Sequence, residues 1–317
     1  MALRADDLID RRRLRRKLTF WRVAALVVAA AGLVALSTWI YGDDFTGAAV
    51  DHIAKVKIEG TITEDDELIK RLETIRQSSR VKAVILSIDS PGGTTVGGES
   101  IYEEVRKLAA EKPVVAEVGT LAASAGYMIA TAADHIVARK SSIVGSIGVL
   151  IQYPDVSGLM DKLGIKLEEV KSSPLKASPS PFRPANDDER AMVRKLILDS
   201  YDWFVGVVAE RRNMTKPEAL ALADGSIFTG RQAVANKLVD AVGGETEAID
   251  WLATKGVDAK LEVVEWKDTE GDSFLLSKAM ARTIGSALGL PDYGGDIIHE
   301  LGADRLFLDG LVSVWHP

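Results

Sequence analysis

Apolar and polar positions fall in blocks along this chain, and the blocks differ in length and period. The longest apolar block, VAALVVAAAGLVALSTWIY from Val23 to Tyr41, carries no charge and is long enough to cross about 30 Å of hydrocarbon at about 1.5 Å per residue. It predicts one membrane-spanning helix. Trp21, Trp39 and Tyr41 sit at its two ends, where amphipathic rings prefer the interface. The basic run Arg11–Lys17 precedes it and Gly42–Asp44 (GDD) follows it, so the positive-inside rule leaves the N-terminus in the cytoplasm and exports everything from about residue 42. A cleaved signal peptide is the competing reading. Against it, the run is long for such a segment and ends without a clear small-x-small site. A buried core helix fits the basic flank less well still.

Beyond a polar connector, strand-like and helix-like blocks alternate, which predicts an α/β domain. VKAVILSID (Val81–Asp89) reads as a buried strand broken at once by Ser-Pro-Gly-Gly. A helical period runs from about Gly97 to Ala110. Pro113 introduces a second strand, VVAEV (Val114–Val118), and Gly119 ends it. The small-residue run Leu121–Ala133 predicts a tightly packed helix with Ser124 in its first turn. Short strands are expected at His135–Ala138, Ile147–Ile151 and Ile165–Val170. Lys171–Asp187 holds four prolines and must be a loop. A long amphipathic helix is expected from about Asp188 to Arg212, with further helical signals at Lys216–Ala223 and Gly230–Asn236. From about Ser273 a helical stretch, Gly/Pro-rich links and an apolar end (Leu306–Trp315) assign no definite structure.

Composition narrows the function. The chain has 317 residues, is 47% hydrophobic and can bury a large core. Of its net charge of −7, residues 1–22 carry +5, from eight Lys/Arg against three Asp, so the remainder carries −12. A dispersed acidic body lacks the concentrated cationic face that nucleic acid needs, so nucleic acid is not an expected partner. There is no cysteine, which excludes disulfides, a thiolate nucleophile and Cys-based metal sites.

Two motifs lie at the carboxyl ends of expected strands, where open α/β sheets place their sites. In Ser90-Pro91-Gly92-Gly93, adjacent glycines let the backbone turn sharply and expose N–H groups, as an oxyanion hole requires; the alternative is a plain turn. Ala122-Ala123-Ser124-Ala125-Gly126 puts a serine at a strand-to-helix junction, beside the positive end of a helix. A helix N-cap or a close-packed crossing would use the same residues, and the pairing with the Gly-Gly turn favours chemistry.

A serine nucleophile needs a base. His52, His135, His299 and His316 occupy no recognisable triad setting, and no HExxH, CxxC, P-loop or GxGxxG motif supports metal or nucleotide chemistry. Lysine remains. Only about one lysine in a thousand is neutral near pH 7 at its ordinary pKa, so a base must be desolvated or set among acceptors. Lys171 and Lys176 both lie in the proline-rich loop, and either would also serve as an ordinary surface lysine.

Taken in order, SPGG (Ser90–Gly93), VGTLAASAGYMIA (Val118–Ala130), VGSIGV (Val144–Val149), VKSSPLKASPSPF (Val170–Phe182) and ADGSIFTGRQAVANKLVDAVGG (Ala223–Gly244) resemble the short form of signal peptide peptidase A. The resemblance covers about residues 53–255. It implies a Clp-protease/crotonase-like α/β domain of repeated β-β-α units, carried on one N-terminal transmembrane helix. The implied layout is a basic cytoplasmic N-terminus (1–22), the spanning helix (23–41), a connector (42–52), the peptidase domain (53–255) and an extension (256–317).

By the same resemblance Ser124 is the nucleophile, Lys176 the general base with Lys171 only its neighbour, Ser146 orients the lysine, and Gly93 and Ala125 supply the oxyanion hole. No cofactor or metal is implied. The expected substrates are hydrophobic peptides, above all cleaved signal peptides. The expected location is a bacterial inner (plasma) membrane, with the catalytic domain periplasmic or extracytoplasmic and membrane lipid contacted through the N-terminal helix. Short members share each site between adjacent subunits, which implies a homo-oligomeric, octamer-like ring. The sequence departs from the pattern at Ser173 and Lys237, where glycine is usual, and at Ala177, where an acidic residue often follows the lysine. A processing protease for specific membrane proteins, a non-catalytic membrane scaffold on this fold, and an acyl-CoA enzyme of the crotonase type are the alternatives. The last would be cytoplasmic and would need neither Ser124 nor a lysine loop.

Overall fold

The computed structural model describes residues 20–25, 27, 28, 32 and 50–267, and the backbone of 312–314. The chain divides at His52. Before that point residues 20–25, 27, 28 and 32 are helical, and the Phe20 and Trp21 rings meet edge-on at 6.0 Å. Among the described residues no helix is long and apolar enough to cross a membrane. Most of the span expected at Val23–Tyr41 lies outside them.

The rest is a sheet with helices on both faces. Its strands are β1 (His52–Ile62), β2 (Val81–Thr94), β3 (Val114–Ala123), β4 (His135–Ala138), β5 (Ile143–Gly145), β6 (Ile227–Thr229), β7 (Ala241–Val242), β8 (Val263–Glu265) and β9 (Val312–Val314). The main path is β6-β5-β3-β2-β1-β8, with β4 between β3 and β7, and β9 on β2. The pairs β2–β3, β3–β4, β3–β5, β4–β7 and β1–β8 are parallel, whereas β5–β6 and β2–β9 are antiparallel.

Strands buried on both faces should read as nearly continuous apolar runs, and β2 does. Val84, Leu86 and Ile88 point into one core, and Ala83 and Ile85 into a second. The first core is closed by α1 (Asp66–Gln77), α2 (Thr95–Ala109), α3 (Ala125–Ala132) and the second half of α5 (Asp187–Arg211). The second is closed by Ala248 and Leu252 of α8 (Glu245–Thr254). Three further short helices are α4 (Ser157–Leu163), α6 (Lys216–Leu220) and α7 (Gly230–Ala235).

The expected α/β class is present, with local corrections. The Ser-Pro-Gly-Gly turn does not end β2, which runs on through Pro91 to Thr94 with a register shift between Ile88 and Ser90. Pro91 falls just past the last pair of β2 with β3, beside that irregularity, where a missing N–H is tolerated. β3 likewise continues past Gly119 to Ala123, so Ser124 stands between strand and helix and not inside a helical turn. Residues 147–151 and 165–170 form no strand element; the second stretch is exposed throughout and pairs with no strand among the described residues. α5 matches its expected span. Apart from Glu189 in its first turn, its buried residues, Phe204, Val205, Val207, Val208 and Ala209, lie in the second half, while Leu196 and Leu198 face outward. His299 and His316 lie outside the described residues.

Candidate active site

Ser124 ends β3 and opens α3 with φ 55° and ψ −119°. Side chains rarely occupy that region, because Cβ crowds the backbone there, and such strain persists only where surrounding structure imposes it. Here the neighbour is β5. Register places Ala123 opposite Gly145, and the Ser124 N–H donates to the Gly145 carbonyl at 2.8 Å. The serine is 1% exposed and its hydroxyl makes no capping bond to α3, which removes the N-cap explanation. The first intrahelical bond is Met128 N–H to the Ser124 carbonyl, 2.9 Å. The N–H groups of Ala125, Gly126 and Tyr127 therefore have no partner within the helix, and the positive end of α3 lies beside Ser124.

Ser146 follows Gly145 and also has a positive φ, 51° after 112° at the glycine. Its N–H donates to the Ser226 carbonyl at 2.8 Å, and Asp224 in turn accepts the Ser226 N–H at 2.9 Å. A Cβ on Gly145 would lie 2.9 Å from the Ser226 carbonyl oxygen, so only glycine lets that turn approach. The order 124, 145–146, 226 is thus a physical stack. It explains why the Ala223–Phe228 segment belongs with the site although it carries no candidate catalytic group.

The Gly-Gly turn reaches Ser124 through Gly126. A Cβ there would lie 2.9 Å from the Ser90 carbonyl oxygen and 3.2 Å from the Ser90 Cβ. Buried Ser90 donates from Oγ to the Gly60 carbonyl at 2.6 Å and accepts the Gly92 N–H at 3.1 Å. Gly93 presses on the end of β1: an added Cβ would stand 1.8 Å from the Ile62 carbonyl oxygen. Gly98 of α2 abuts the Ala125 methyl, where an added Cβ would meet it at 3.0 Å. Two supports have no motif to announce them. Asp89 accepts the Leu121 N–H at 3.1 Å, and Ser142 Oγ donates to the Gly119 carbonyl at 2.6 Å, together bracing the last part of β3.

The lysines separate. Lys171 is partly buried and pairs with Glu169 at 2.7 Å. Lys176 is exposed; its backbone N–H turns back to the Ser173 carbonyl at 3.2 Å, and among the described residues its ammonium has no hydrogen-bond or ion-pair partner. Ala177 follows at φ 54°. Farther along, Val156 N–H donates to the Pro181 carbonyl at 2.8 Å, and Arg183 bonds both oxygens of the covered Glu189 carboxylate. Glu189 also accepts the Asn186 N–H at 3.0 Å while Asn186 caps α5. The Arg183 guanidinium is the largest influence on that carboxyl and, with the backbone bond, holds its pKa down to about 2. The loop is anchored at both ends, and Lys176 stands out between the anchors.

Among the described residues of this unit no histidine competes for the role. His135 is paired with Val115 at the start of β3, roughly 30 Å from Ser124 at about 3.3 Å per residue. It stacks on Trp251 at 4.8 Å, and burial pushes its pKa down against the opposing pull of Asp240.

Sequence comparison bears on the same segments. A Clp protease model matches residues 49–154 and a Peptidase family S49 model matches residues 106–260, the two overlapping across Ser124 and Ser146. This chain is a serine peptidase with a Clp-protease-like domain. A protein of Methanocaldococcus jannaschii named as a protease is 38% identical over 232 residues, covering 73% of this chain and 75% of that one. A Synechocystis protein, also named as a protease, is 36% identical over 239 residues, with 72% and 86% covered. An Enterococcus faecium protein named as signal peptide peptidase SppA is 34% identical over 240 residues, with 71% and 70% covered. The chain belongs to peptidase family S49.

Proposed function

We propose that this chain is a membrane-anchored endopeptidase in which Ser124 is the nucleophile and Lys176 the base, and that it degrades cleaved signal peptides and other hydrophobic peptides. The observation that carries the reading is the strained, buried backbone of Ser124, held by Gly145 beside first-turn N–H groups of α3 that have no partner within the helix, and with no capping bond from its side chain. In the proposed reaction a neutral lysine amine takes the hydroxyl proton as Oγ attacks the scissile carbonyl. The developing oxyanion is met by N–H groups at Gly93 and Ala125. Collapse breaks the C–N bond and the lysine proton goes to the leaving amine. Water, deprotonated by the same amine, then releases the acid and frees Ser124. Ser146 orients the lysine.

Lys176 has to be desolvated to be neutral, yet on the single chain it is exposed. We assign its burial to an adjacent copy, in a ring where each cleft is completed by the neighbour's loop. The loop region supports this: Ile165, Leu167, Val170, Leu175 and Phe182 all present apolar side chains to solvent, a concentration that isolated surfaces rarely carry. The apolar run at Val23–Tyr41 and its basic flank support the anchor, with the catalytic domain outside the cytoplasm. The test is a fluorophosphonate label on the purified chain, followed by mapping of the modified residue. Modification at Ser124 is expected. A label on another residue, with Ser124 unmodified in an active preparation, overturns the assignment.

A further inference from the structure

Every residue of α3 is buried, and none of its side chains carries a charge. Its larger side chains, Tyr127, Met128 and Ile129, come near its start, and the Tyr127 hydroxyl ties that part down by donating to the Leu238 carbonyl at 2.8 Å. The end of the helix, Ala130-Thr131-Ala132, has no large side chain to lock it, and the Thr131 hydroxyl turns back to the Met128 carbonyl at 2.6 Å. What holds that end is cationic. Arg106 of α2 donates from Nη1 to the Ala132 carbonyl at 2.7 Å. Arg211, the last residue of α5, donates from Nε to the Thr131 carbonyl at 2.9 Å and from Nη2 to the Ala133 carbonyl at 3.1 Å. The last carbonyls of a helix have no N–H within it to accept, and here two guanidinium groups from two other helices meet three of them.

Setting two cations together is unfavourable in itself: burial, and then the charge of Arg106, pushes the Arg211 pKa below its ordinary value. The negative end of α3 and the Asp134 carboxylate, 3.6 Å from Arg106, offset this. The gripped helix is short and stiff, eight residues or about 12 Å at about 1.5 Å per residue, and the Ala125 N–H stands at its other end, next to Ser124.

We propose that Arg106 and Arg211 are positioning residues for peptide cleavage: they grip the far end of α3 and so set where its first turn stands relative to the carbonyl that Ser124 attacks. This rests on Ser124 being the nucleophile. Releasing the far end lets α3 draw back or tilt, which moves the Ala125 N–H. The loss is felt when charge develops on the carbonyl oxygen and not when the peptide binds, so kcat falls while KM holds.

The experiment compares the full chain with Arg211→Met and Arg106→Met, which keep an unbranched apolar stem and donate nothing. Leu252→Ala, in the second core, serves as a variant destabilised away from α3. A quenched fluorescent apolar peptide gives kcat and KM at a temperature well below every Tm, and a fluorophosphonate gives the rate of labelling at Ser124. Arg211→Met is expected to lower kcat and the labelling rate together by about tenfold, and Arg106→Met, which loses one bond against two, by about threefold, each with KM within about twofold of the parent. Leu252→Ala should leave all three quantities within about twofold of the parent. Parental kcat in both arginine variants, or a loss of kcat that Leu252→Ala matches at equal Tm, overturns the proposal. A raised KM at constant kcat overturns it too. If Arg211→Met does not fold, Arg211→Lys, which keeps the charge on a single donor nitrogen, is held to the same criteria with a fall of about threefold. A label away from Ser124 in the parent removes the nucleophile assignment and the grip with it, whereas labelling at Ser124 at equal rates in all four chains removes the grip alone.

Discussion

Gly126 and Ser90 approach so closely that a methyl group on Gly126 would lie 2.9 Å from the Ser90 carbonyl oxygen. This contact sets the distance between the helix that carries Ser124 and the turn that carries Gly92 and Gly93. Gly126→Ala must therefore push α3 away from the turn by several tenths of an ångström. Misplacement on the scale of 1 Å costs on the order of a hundredfold in rate. We expect kcat to fall by about tenfold to a hundredfold in a chain whose far-ultraviolet circular dichroism is unchanged. Parental kcat would show that the contact does not set the geometry of reaction.

Ser124→Ala and Lys176→Ala should each abolish cleavage of an apolar peptide while leaving the assembly intact. The proposed sharing of each site between copies makes a further demand. Mixing the two inactive variants under conditions that allow subunit exchange creates interfaces with an intact serine facing an intact lysine. Partial activity should return, up to about one quarter of parental for random exchange in a ring with a single lysine donor per site. Activity that never returns, with exchange demonstrated by size or fluorescence, would place both groups on one subunit.

The Arg183–Glu189 pair predicts how the lysine loop responds to acid. Glu189 has its pKa lowered on folding, from an ordinary 4.5 to about 2, by Arg183 first and by the Asn186 N–H in addition. A lowered carboxyl pKa stabilises the fold above the unfolded value and loses that contribution as pH falls through the folded one. The contribution is complete above about pH 5 and disappears between about 4.5 and 2. Glu189→Gln should lower the urea midpoint at pH 7, and the gap to the parent should close across that window. A gap that stays constant down to pH 2 would mean the pair is not what the substitution removed. At pH 7 the same variant should lower kcat more than it raises KM, because the loop that presents Lys176 loses an anchor.

Lys237 sits at φ 60°, at a position where the resemblance expects glycine. A non-glycine residue in that region costs about 1–2 kcal/mol, and glycine returns part of this through the greater freedom of the unfolded chain, about 0.4–1 kcal/mol. Lys237→Gly should gain on the order of 0.5 kcal/mol, a rise in Tm of about 1–2 °C, with unchanged activity. A lower Tm would show that the lysine side chain contributes more than its backbone costs.

The fold class was legible because buried parallel strands write themselves as unbroken apolar runs, and Val81–Asp89 and Val114–Val118 are such runs. Their ends were not. β2 and β3 continue through Pro91 and Gly119 because the pairing of Ser90 with Ala122, and of Leu121–Ala123 with Ile143–Gly145, outweighs local breaking signals. Ile165–Val170 has the composition of a strand, but among the described residues no strand pairs with it. Within the site, Ser124 and the Gly-Gly turn were visible as motifs. Ser146 had meaning only through the family pattern, and the structure supplies a physical setting for it in the carbonyl of Ser226. Asp89 and Ser142 could not have been read, since each acts through one long-range bond to backbone. Choosing between Lys171 and Lys176 was beyond composition as well; the Glu169 contact to Lys171 now distinguishes their surroundings.

The backbone at Ser124 is bent by the Gly145 carbonyl, and Gly145 and Ser146 are bent in turn by the turn at Ser226. A ribosome delivers these segments in order. Ser124 emerges about a hundred residues before Ser226 does, and until then it is an ordinary serine on an unconstrained chain. The geometry at Ser124 therefore waits on the completion of its own domain, and a growing or damaged copy lacking that turn has nothing to hold the serine in this conformation.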